Sequence, residues 1–472
     1  MKKTLTLVSI IVFTSYMWSQ SKPFPQNINY PNGYRTSLIS STAVQNAYTT
    51  WKNLFLRSCN GMYRVGTEDV NRTISESIGY GMLLTAYHGE KEYFDGLFEF
   101  YKSKRTDHAY GLMAWEVTCD GITDPGSATD GDIDVAFSLI VAHNQWGENY
   151  LEEAKDILSI LKEYYFVECG RGYYIMKPGG WFGGCNLTDI SYYSPGYFNV
   201  FAEVTGDSFW ETVANHTYVL LNNTANDSTG LVPDWQTSDG VPTTSGRTNY
   251  YKYDASRTPW RMSLDYLWNG SSAAKEWCTK ITNFAASIGP SRIVDGYDLD
   301  GTPHGQYNNS AFVGGFAVGA MCNSQEITDD FARRLLQLNN GGGDNQYFNL
   351  SLRNLYMLVL TGNFWKPGLW VSVEKNGALP NKLFLEQNYP NPFNPSTIIQ
   401  YSLNKPSQTK LDIYNLLGQK VKTLVNSFQV AGEYSLTWNG TDEINYPVGS
   451  GIYFYQLKSN ENKLTKKMLL IR

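Results

Sequence analysis

The stretch ATDGDIDVAFSLIVAHNQW, residues 128–146, indicates how the larger part of this 472-residue chain folds. It opens with acidic residues and a glycine, and its later apolar residues follow the spacing of an amphipathic helix. Carboxylates are common at the starts of helices, where they cap free backbone N–H groups. The pattern therefore predicts a helix over about 132–145, entered directly from an acid-rich loop.

Segments with helical length and apolar spacing recur along most of the chain, from about Thr42 to Gly362. The twelve predicted helices lie near 42–56, 75–88, 91–103, 132–145, 150–165, 194–204, 207–222, 256–268, 271–288, 309–323, 326–339 and 346–361. Two long loops, 165–193 and 223–254, separate some of them, and long loops in a compact domain are often functional. Such an alternation suggests stacked helical hairpins closed into a ring.

The sequence changes character after Leu369. A polar linker is predicted over 369–383, and residues 384–472 contain short strand-like runs separated by Gly, Asn and Pro. Clear examples are 396–403, 409–415, 432–440 and 451–459. This spacing predicts a small all-β sandwich of Ig-like type as the C-terminal domain.

The N-terminus has the pattern of a secretory signal peptide, with Lys2 and Lys3 ahead of an apolar run that ends near Trp18. We expect cleavage near residue 20 and a mature helical domain over 21–368. No other run is long enough to span a membrane, so no transmembrane segment is predicted. Export permits disulfides, and Cys169 and Cys185 bracket a Gly-rich loop in which they could pair.

Composition narrows the class of ligand. The net charge of −6 argues against nucleic acid as a partner, and aromatic residues make up 15% of the chain while charged residues make up only 17%. Aromatic rings with few charges suit a neutral ligand that stacks, such as a sugar, although most of these rings must belong to the core. The six cysteines form no C-x-x-C pair, and neither a metal nor a cofactor is predicted.

Four short motifs carry the chemically interesting side chains, and each lies where a loop enters a predicted helix. They are Ser75–Met82 around Glu76, Ala128–Asp134 around Asp130, Asp189–Pro195 around Tyr192 and Tyr193, and Tyr253–Trp260 around Asp254 and Arg257. Because they recur at nearly even intervals of about one helical hairpin, they are expected at the same end of the ring. Together with Trp115, Trp181 and Trp260 they would form an acid-rich sugar cleft.

Each carboxylate also has a plain structural interpretation as a helix cap. The run Asp130-x-Asp132-x-Asp134 resembles the start of an EF-hand. However, Val135 and Val141 stand at positions six and twelve, where a calcium loop of this type needs glycine and glutamate. Calcium ligation of that type is therefore excluded. The glycines at 79 and 81 weaken a helix by about 1 kcal/mol each relative to Ala, so close packing or a bound ligand should offset them.

These motifs resemble family 8 glycoside hydrolases. The likeness rests on Ala128–Asp132 with the apolar positions that follow it, on Glu76 in SESIGYGM and on Asp254 in YDASRTPW, and it spans about 30–365. Ser77 and Ile78 depart from the usual Glu-Gly-x-Gly-Tyr-Gly-Met. The resemblance implies an (α/α)6 barrel and inverting endo-hydrolysis of a β-1,4-linked polysaccharide.

Inverting hydrolysis needs one protonated carboxyl beside the leaving oxygen and one ionised carboxylate that holds a water. Glu76 is predicted as the acid and Asp254 as the base, with Arg257 on the same helical face keeping Asp254 ionised. By resemblance, Asp130 would hold the distorted sugar and Tyr192 would orient the water. The remaining predicted substrate-binding residues are Trp115, Tyr193 and Trp260.

Cellulose or mixed-linkage β-glucan is the expected substrate, with xylan and chitosan as alternatives within the same fold. The xylan-acting branch tends to carry Pro-Asp-Gly-Glu-Glu where this chain has Thr129–Ile133, which favours glucan. The chitosan-acting branch takes its base from elsewhere, so Asp254 also favours glucan. The alternative of another class is a catalytically silent glycan-binding surface protein, which the presence of all three carboxylates disfavours.

The C-terminal segment resembles the type A sorting domain of the type IX secretion system. The likeness rests on Leu385–Pro395, Tyr414–Gln419, Gly451–Phe454 and Lys466–Met468. It implies export by the type IX machinery, following the predicted signal peptide, with release or retention at the cell surface. The protein is expected to be a monomer. A carbohydrate-binding sandwich is the alternative interpretation of this segment.

Overall fold

The computed structural model describes residues 22, 24–170, 173–368, 382–388, 390–405, 407–429, 432–443, 446–460 and 462–471. The chain forms two compact units, Met1–Leu369 and Trp370–Arg472. The predicted signal peptide, 1–20, and most of the predicted linker, 369–381, lie outside the described residues.

Twelve α-helices form the described part of the first unit, and all twelve were predicted from the apolar spacing. They are α1 Ser41–Phe55, α2 Ser75–His88, α3 Lys91–Ser103, α4 Thr129–Trp146, α5 Tyr150–Tyr164, α6 Pro195–Thr205, α7 Phe209–Thr224, α8 Thr258–Asn269, α9 Ser272–Ile288, α10 Ser310–Ala320, α11 Gln325–Gln337 and α12 Gln346–Leu360. Helix α4 begins three residues earlier than predicted, so Asp130 lies within its first turn.

The helices alternate between two environments, which is the pattern of an (α/α)6-type fold. Helices α2, α4, α8, α10 and α12 are buried on almost every face. By contrast, α1, α3, α5, α9 and α11 bury one face and expose a polar one. The buried helices contact one another in sequence, α2 with α4 and α12, α8 with α6 and α10, and α10 with α12. Between α4 and α6, the rings of Phe137 and Tyr197 stack at 3.6 Å.

Glycines permit the closest of these helix contacts. A Cβ atom on Gly131 of α4 would lie 2.5 Å from the backbone carbon of Ser75, and one on Gly79 of α2 would lie 2.8 Å from the Cβ of Asp134. Close packing of α2 against α4 is therefore what offsets the low helix propensity of Gly79. It also places the first turns of the two helices side by side.

Short hairpins and two disulfides shape the loops of the first unit. The strands are β1 Leu56–Cys59, β2 Met62–Val65, β3 Thr73–Ile74, β4 Glu116–Val117, β5 Ile122–Asp124, β6 Phe166–Glu168 and β7 Tyr174–Met176. Cys169 pairs with Cys185, as the sequence suggested, and Cys59 pairs with Cys119. Cys278 and Cys322 are buried and free.

The second unit is a small β domain of two antiparallel sheets around one apolar core. Its strands are β8 Phe384–Leu385, β9 Thr397–Leu403, β10 Ser407–Asn415, β11 Lys420–Gln429, β12 Gly432–Trp438, β13 Gly451–Ser459 and β14 Asn462–Leu470. One sheet has the order β11-β10-β13-β14 and the other β12-β9-β8. Leu403, Ile413 and Leu457 are among the core side chains. The four predicted strand segments correspond to β9, β10, β12 and β13.

None of the helices in the described part of the chain combines the length and the apolar character needed to cross a membrane.

Candidate active site

A single buried guanidinium organises the site. Arg257, whose side chain is 1% exposed, lies in a short 3₁₀ helix, Ala255–Arg257, directly before α8. Its Nη1 donates to Glu76 Oε2 at 2.8 Å and to Asp130 Oδ2 at 2.7 Å. Its Nη2 donates to Asp254 Oδ1 at 2.8 Å. The structure thus brings together the three carboxylates that the separate motifs predicted, and it adds Arg257 as their common partner.

Each carboxylate reaches the site from a different element. Glu76 is in the first turn of α2 and Asp130 in the first turn of α4, and the Gly131 contact holds those two turns together. Asp254 precedes the 3₁₀ helix before α8. The backbone of that segment is fixed by Asp234, whose Oδ1 accepts hydrogen bonds from the N–H groups of Lys252 and Ala255, both at 2.9 Å.

Glu76 is a carboxyl that can hold a proton near neutral pH. Burial raises its pKa to about 7; Arg257 opposes the rise, the nearby charges of Asp130 and Asp254 add to it, and the hydrogen bond from Tyr347 opposes it. That bond runs from the Tyr347 hydroxyl to Glu76 Oε1 at 3.0 Å. The Glu76 side chain nevertheless keeps 13% exposure, so it remains accessible to solvent.

The side chain of Asp254 is more exposed to solvent than that of Glu76. Its side chain is 31% exposed, and its oxygens have different partners: Oδ1 accepts from Arg257, and Oδ2 accepts from the indole N–H of Trp235 at 3.1 Å. Burial raises the pKa of Asp254, while Arg257, Trp235 and Arg247 oppose that rise. A carboxylate with donors on both oxygens and with access to solvent can hold a water.

Further buried acids lie close to this centre. Asp189 Oδ2 is 4.0 Å from Arg257 Nη2, and burial raises the pKa of Asp189 and of Asp234 well above the ordinary value. Asp132 accepts from the Tyr101 hydroxyl at 2.7 Å, and burial raises its pKa to about 8. Despite this concentration of carboxylates, no group of three or more acidic, His or Cys residues in the described ranges has the arrangement of a metal site.

The predicted aromatic residues differ in their burial and in the side chains that they contact. Tyr192 lies under Arg257, with 5.2 Å between its ring centre and the guanidinium carbon. Trp115 is half-buried beside Arg72, and Trp181 is 67% exposed and stacks on Tyr110 at 5.2 Å. Of these three rings, Tyr192 contacts the arginine of the site directly, and the substrate-binding roles of all three stay predictions.

Two of the predictions fail on burial. Trp260 is fully buried, with the guanidinium of Arg261 4.0 Å from its ring centre, so it offers no surface to a sugar. Tyr193 is 1% exposed, and its hydroxyl accepts from the backbone N–H of Met176 at 2.7 Å. Both residues support the site from behind, and their prediction as direct substrate contacts is wrong.

Three residues of the site were not predicted: Asp234, Trp235 and Tyr347. The first two lie in the loop 223–254, whose length alone marked it as functional. Tyr347 is in the first turn of α12, like Glu76 in α2 and Asp130 in α4, so its position at a helix start was the available signal.

Comparisons with known proteins agree with this arrangement. A family model described as glycosyl hydrolases family 8 matches residues 22–362, and one described as a secretion system C-terminal sorting domain matches residues 387–471. Endoglucanase C of Ruminiclostridium cellulolyticum is 34% identical over 384 residues, which cover 76% of this chain and 82% of the relative. Endoglucanase A of Acetivibrio thermocellus is 36% identical over 366 residues, covering 73% and 75%.

A solved structure shares the fold of the first unit. The apo structure of a β-1,3-1,4-glucanase from Paenibacillus sp. X4 superposes with a TM-score of 0.68 at 30% identity. The superposition covers 74% of this chain and all of the glucanase chain.

Proposed function

Since this chain belongs to glycosyl hydrolase family 8, we propose that it is a secreted, inverting endo-β-1,4-glucanase that acts on cellulose or mixed-linkage β-glucan. The observation that carries this proposal is the arrangement of Glu76 and Asp254 on opposite nitrogens of the buried Arg257. One carboxyl is shielded and has a raised pKa of about 7, and the other is a third exposed.

Glu76 is assigned as the general acid. A carboxyl with a pKa near the working pH is protonated in a large fraction of molecules and still transfers its proton readily. Arg257 and Tyr347 bind the Glu76 oxygens and become more effective partners as the carboxylate forms, so they stabilise the charge that remains after proton donation to the leaving oxygen.

Asp254 is assigned as the general base. Inverting enzymes keep their two carboxyls about 6.5–9.5 Å apart, which leaves room for a water, whereas retaining enzymes keep them at about 5–5.5 Å. The guanidinium of Arg257 separates Glu76 from Asp254, which supports the wider spacing. Tyr192, on the neighbouring 3₁₀ helix Ile190–Tyr192, is assigned to orient the water, and Asp130 is assigned to hold the distorted sugar.

The relatives support glucan over xylan or chitosan. The two enzymes compared at 34% and 36% identity are endoglucanases, and the solved structure at 30% identity is a β-1,3-1,4-glucanase. The motif around Asp130 and the presence of Asp254 point the same way. We further propose that the six inner helices close into a complete barrel, that the C-terminal β domain is an Ig-like sandwich and that the protein is a monomer.

The sorting domain supports export by the type IX secretion system to the cell surface or the medium. We propose that residues 1–20 are a signal peptide that brings the chain to this machinery. Two disulfides in the first unit are consistent with an oxidising compartment.

The test is reducing-sugar release from barley β-glucan, carboxymethylcellulose, xylan and chitosan, with Glu76→Gln and Asp254→Asn as matched controls. We expect release from one or both glucans and a loss of about 10³-fold or more in each variant. NMR of a fresh β-glucan digest should show the α-anomer first. A wild-type protein inactive on every substrate would support the silent glycan-binding alternative, and an initial β-anomer would exclude the inverting mechanism.

A further inference from the structure

The Asp254 carboxylate is held by two donors, and only one of them belongs to the motif that carries it. Arg257, three residues on, binds Oδ1, whereas the donor to Oδ2 is Trp235, in the long loop before the motif. The 3.1 Å bond from the indole N–H is the only one that the described residues make to Oδ2. The orientation of the exposed oxygen therefore depends on where this indole is placed.

The indole is fixed by its surroundings and not by Asp254 alone. Trp235 is 7% exposed, and its ring meets Phe182 and Tyr192 edge-to-face, at 5.8 Å and 6.2 Å between ring centres. Its backbone N–H donates to Thr248 at 3.1 Å, and its carbonyl accepts from Thr243 at 3.0 Å. Such a side chain has little rotational freedom left, so it presents its N–H in one direction.

A cation covers the outer side of this arrangement. The guanidinium of the exposed Arg247 lies 4.5 Å from the ring centre of Trp235 and 4.4 Å from that of Phe182. Stacking of Arg on aromatic faces is favourable, most strongly for Trp. Arg247 thus closes the loop over Trp235 and adds a positive charge on the solvent side of Asp254.

We propose that Trp235, backed by Arg247, is a positioning residue that holds Oδ2 of Asp254 in the orientation needed to bind the attacking water. This inference rests on the proposed function, in which Asp254 is the general base. Trp235 does not itself exchange a proton or contact the reacting atoms. Its indole N–H keeps one oxygen in place, and Arg247 keeps the indole in place.

Loss of Trp235 or of Arg247 should shift the pH dependence of activity in one direction. A hydrogen bond to the charged form and a nearby cation both favour ionised Asp254, so losing either should raise its pKa. The base must be ionised, hence the acidic limb of the kcat/KM profile should move to higher pH. The other charged or titratable groups that face Asp254 are Glu76 from α2, Asp130 from α4, Asp189 and Tyr192 from the segment before α6, Asp234 from the loop and Arg257. These are unchanged in the variants below.

The experiment compares pH profiles of kcat/KM on soluble β-glucan for the full chain carrying Trp235→Phe, Arg247→Gln or Arg247→Lys. We expect Trp235→Phe to move the acidic limb upward by about one pH unit and Arg247→Gln to move it in the same direction by less. Arg247→Lys, which keeps the cation, should stay close to the wild type. Arg247→Gln alters an exposed side chain, so it tests the inference even if Trp235→Phe folds poorly.

The matched control is Trp277→Phe. Trp277 is also buried and its indole N–H donates to the Gly230 carbonyl at 3.0 Å, but it lies on α9 outside the site. Its variant should leave the limb in place. If Asp254→Asn is inactive while Trp235→Phe and Arg247→Gln keep the wild-type limb, this inference is overturned and the proposed base stands. If Asp254→Asn retains more than a tenth of the wild-type rate, the base assignment fails and this inference falls with it.

Discussion

At the scale of single residues, the site holds an excess of negative charge around Arg257. Four carboxyl groups, those of Glu76, Asp130, Asp189 and Asp254, lie within 4.0 Å of one guanidinium. One positive charge cannot compensate four negative charges that are wholly or partly buried, so some of these groups should hold protons near neutral pH. Burial, and to a lesser extent the neighbouring carboxylates, raise the pKa values of Glu76, Asp189 and Asp254. In the proposed assignment, this one cluster supplies both the proton donor, Glu76, and the base, Asp254.

The raised pKa of Glu76 predicts a pH dependence. The acid must be protonated, so activity is present below about pH 7 and is lost as the pH rises through the Glu76 pKa of about 7. Above that value kcat/KM on soluble β-glucan should fall about tenfold per pH unit. Tyr347→Phe removes a hydrogen bond that lowers this pKa, so the basic limb should move to higher pH.

Tyr63→Phe is the control for that measurement. Its hydroxyl also bonds a glutamate, Glu92 at 3.2 Å, but on the exposed surface of the first unit. Its profile should match the wild type. A basic limb that stays in place in Tyr347→Phe, in a protein with wild-type thermal stability, would contradict the assignment of that limb to Glu76.

The site residues predictable from sequence were those inside a local motif. Glu76, Asp130, Asp254 and Arg257 each lie at a helix start with a recognisable context, and all four meet in the structure. Trp260 belongs to the same motif as Asp254 but lies six residues further on, within α8, where it is fully buried. Proximity in sequence was therefore misleading. Trp235 and Tyr347 act through contacts with residues far away in the chain, and no local pattern carries that information.

At the scale of helices and strands, apolar spacing was sufficient to predict every helix but not every boundary. Helix α4 begins at Thr129, three residues before the predicted start, and its N-cap residue Ala128 makes no side-chain capping bond. The first turn of α4 instead contains Gly131, whose close contact with the start of α2 is a tertiary feature. In the sequence, such a contact is visible only as a glycine. A glycine alone does not reveal that its backbone lies against another helix.

The same contact predicts the effect of Gly131→Ala. A Cβ at this position would lie 2.5 Å from the Ser75 carbon and 2.7 Å from the Glu76 nitrogen, so α2 and α4 must move apart. We expect the free energy of unfolding to fall by about 1–3 kcal/mol. Because Glu76 moves with the start of α2, kcat should fall about tenfold or more.

Thermal unfolding and kcat on β-glucan measure the two effects together. Gly121→Ala is the matched control, since a Cβ there meets no atom within 4 Å. It should change neither quantity. Wild-type kcat in Gly131→Ala would mean that the α2–α4 contact does not position Glu76, whatever happens to stability.

At the scale of the whole molecule, every contact described for the site joins residues between 72 and 347, all within the first unit. The division between the units was evident in the sequence because helical spacing gives way to short strand-like runs. The strand register of the β domain could not be predicted in the same way. Strand β11 pairs with β10, and β14 pairs with β13, in registers that the strand pattern does not specify. The two units thus separate chemistry from sorting along the chain.

This separation predicts that a chain truncated to residues 21–368 keeps its activity. Its kcat and KM on soluble β-glucan should equal those of the full chain, because the site contacts described above all lie within the first unit. Thermal unfolding checks that the truncated chain is folded, and Glu76→Gln in the same background should remove its activity. A folded, inactive truncated chain would show that residues 384–472 contribute to catalysis, and their role would then have to extend beyond sorting.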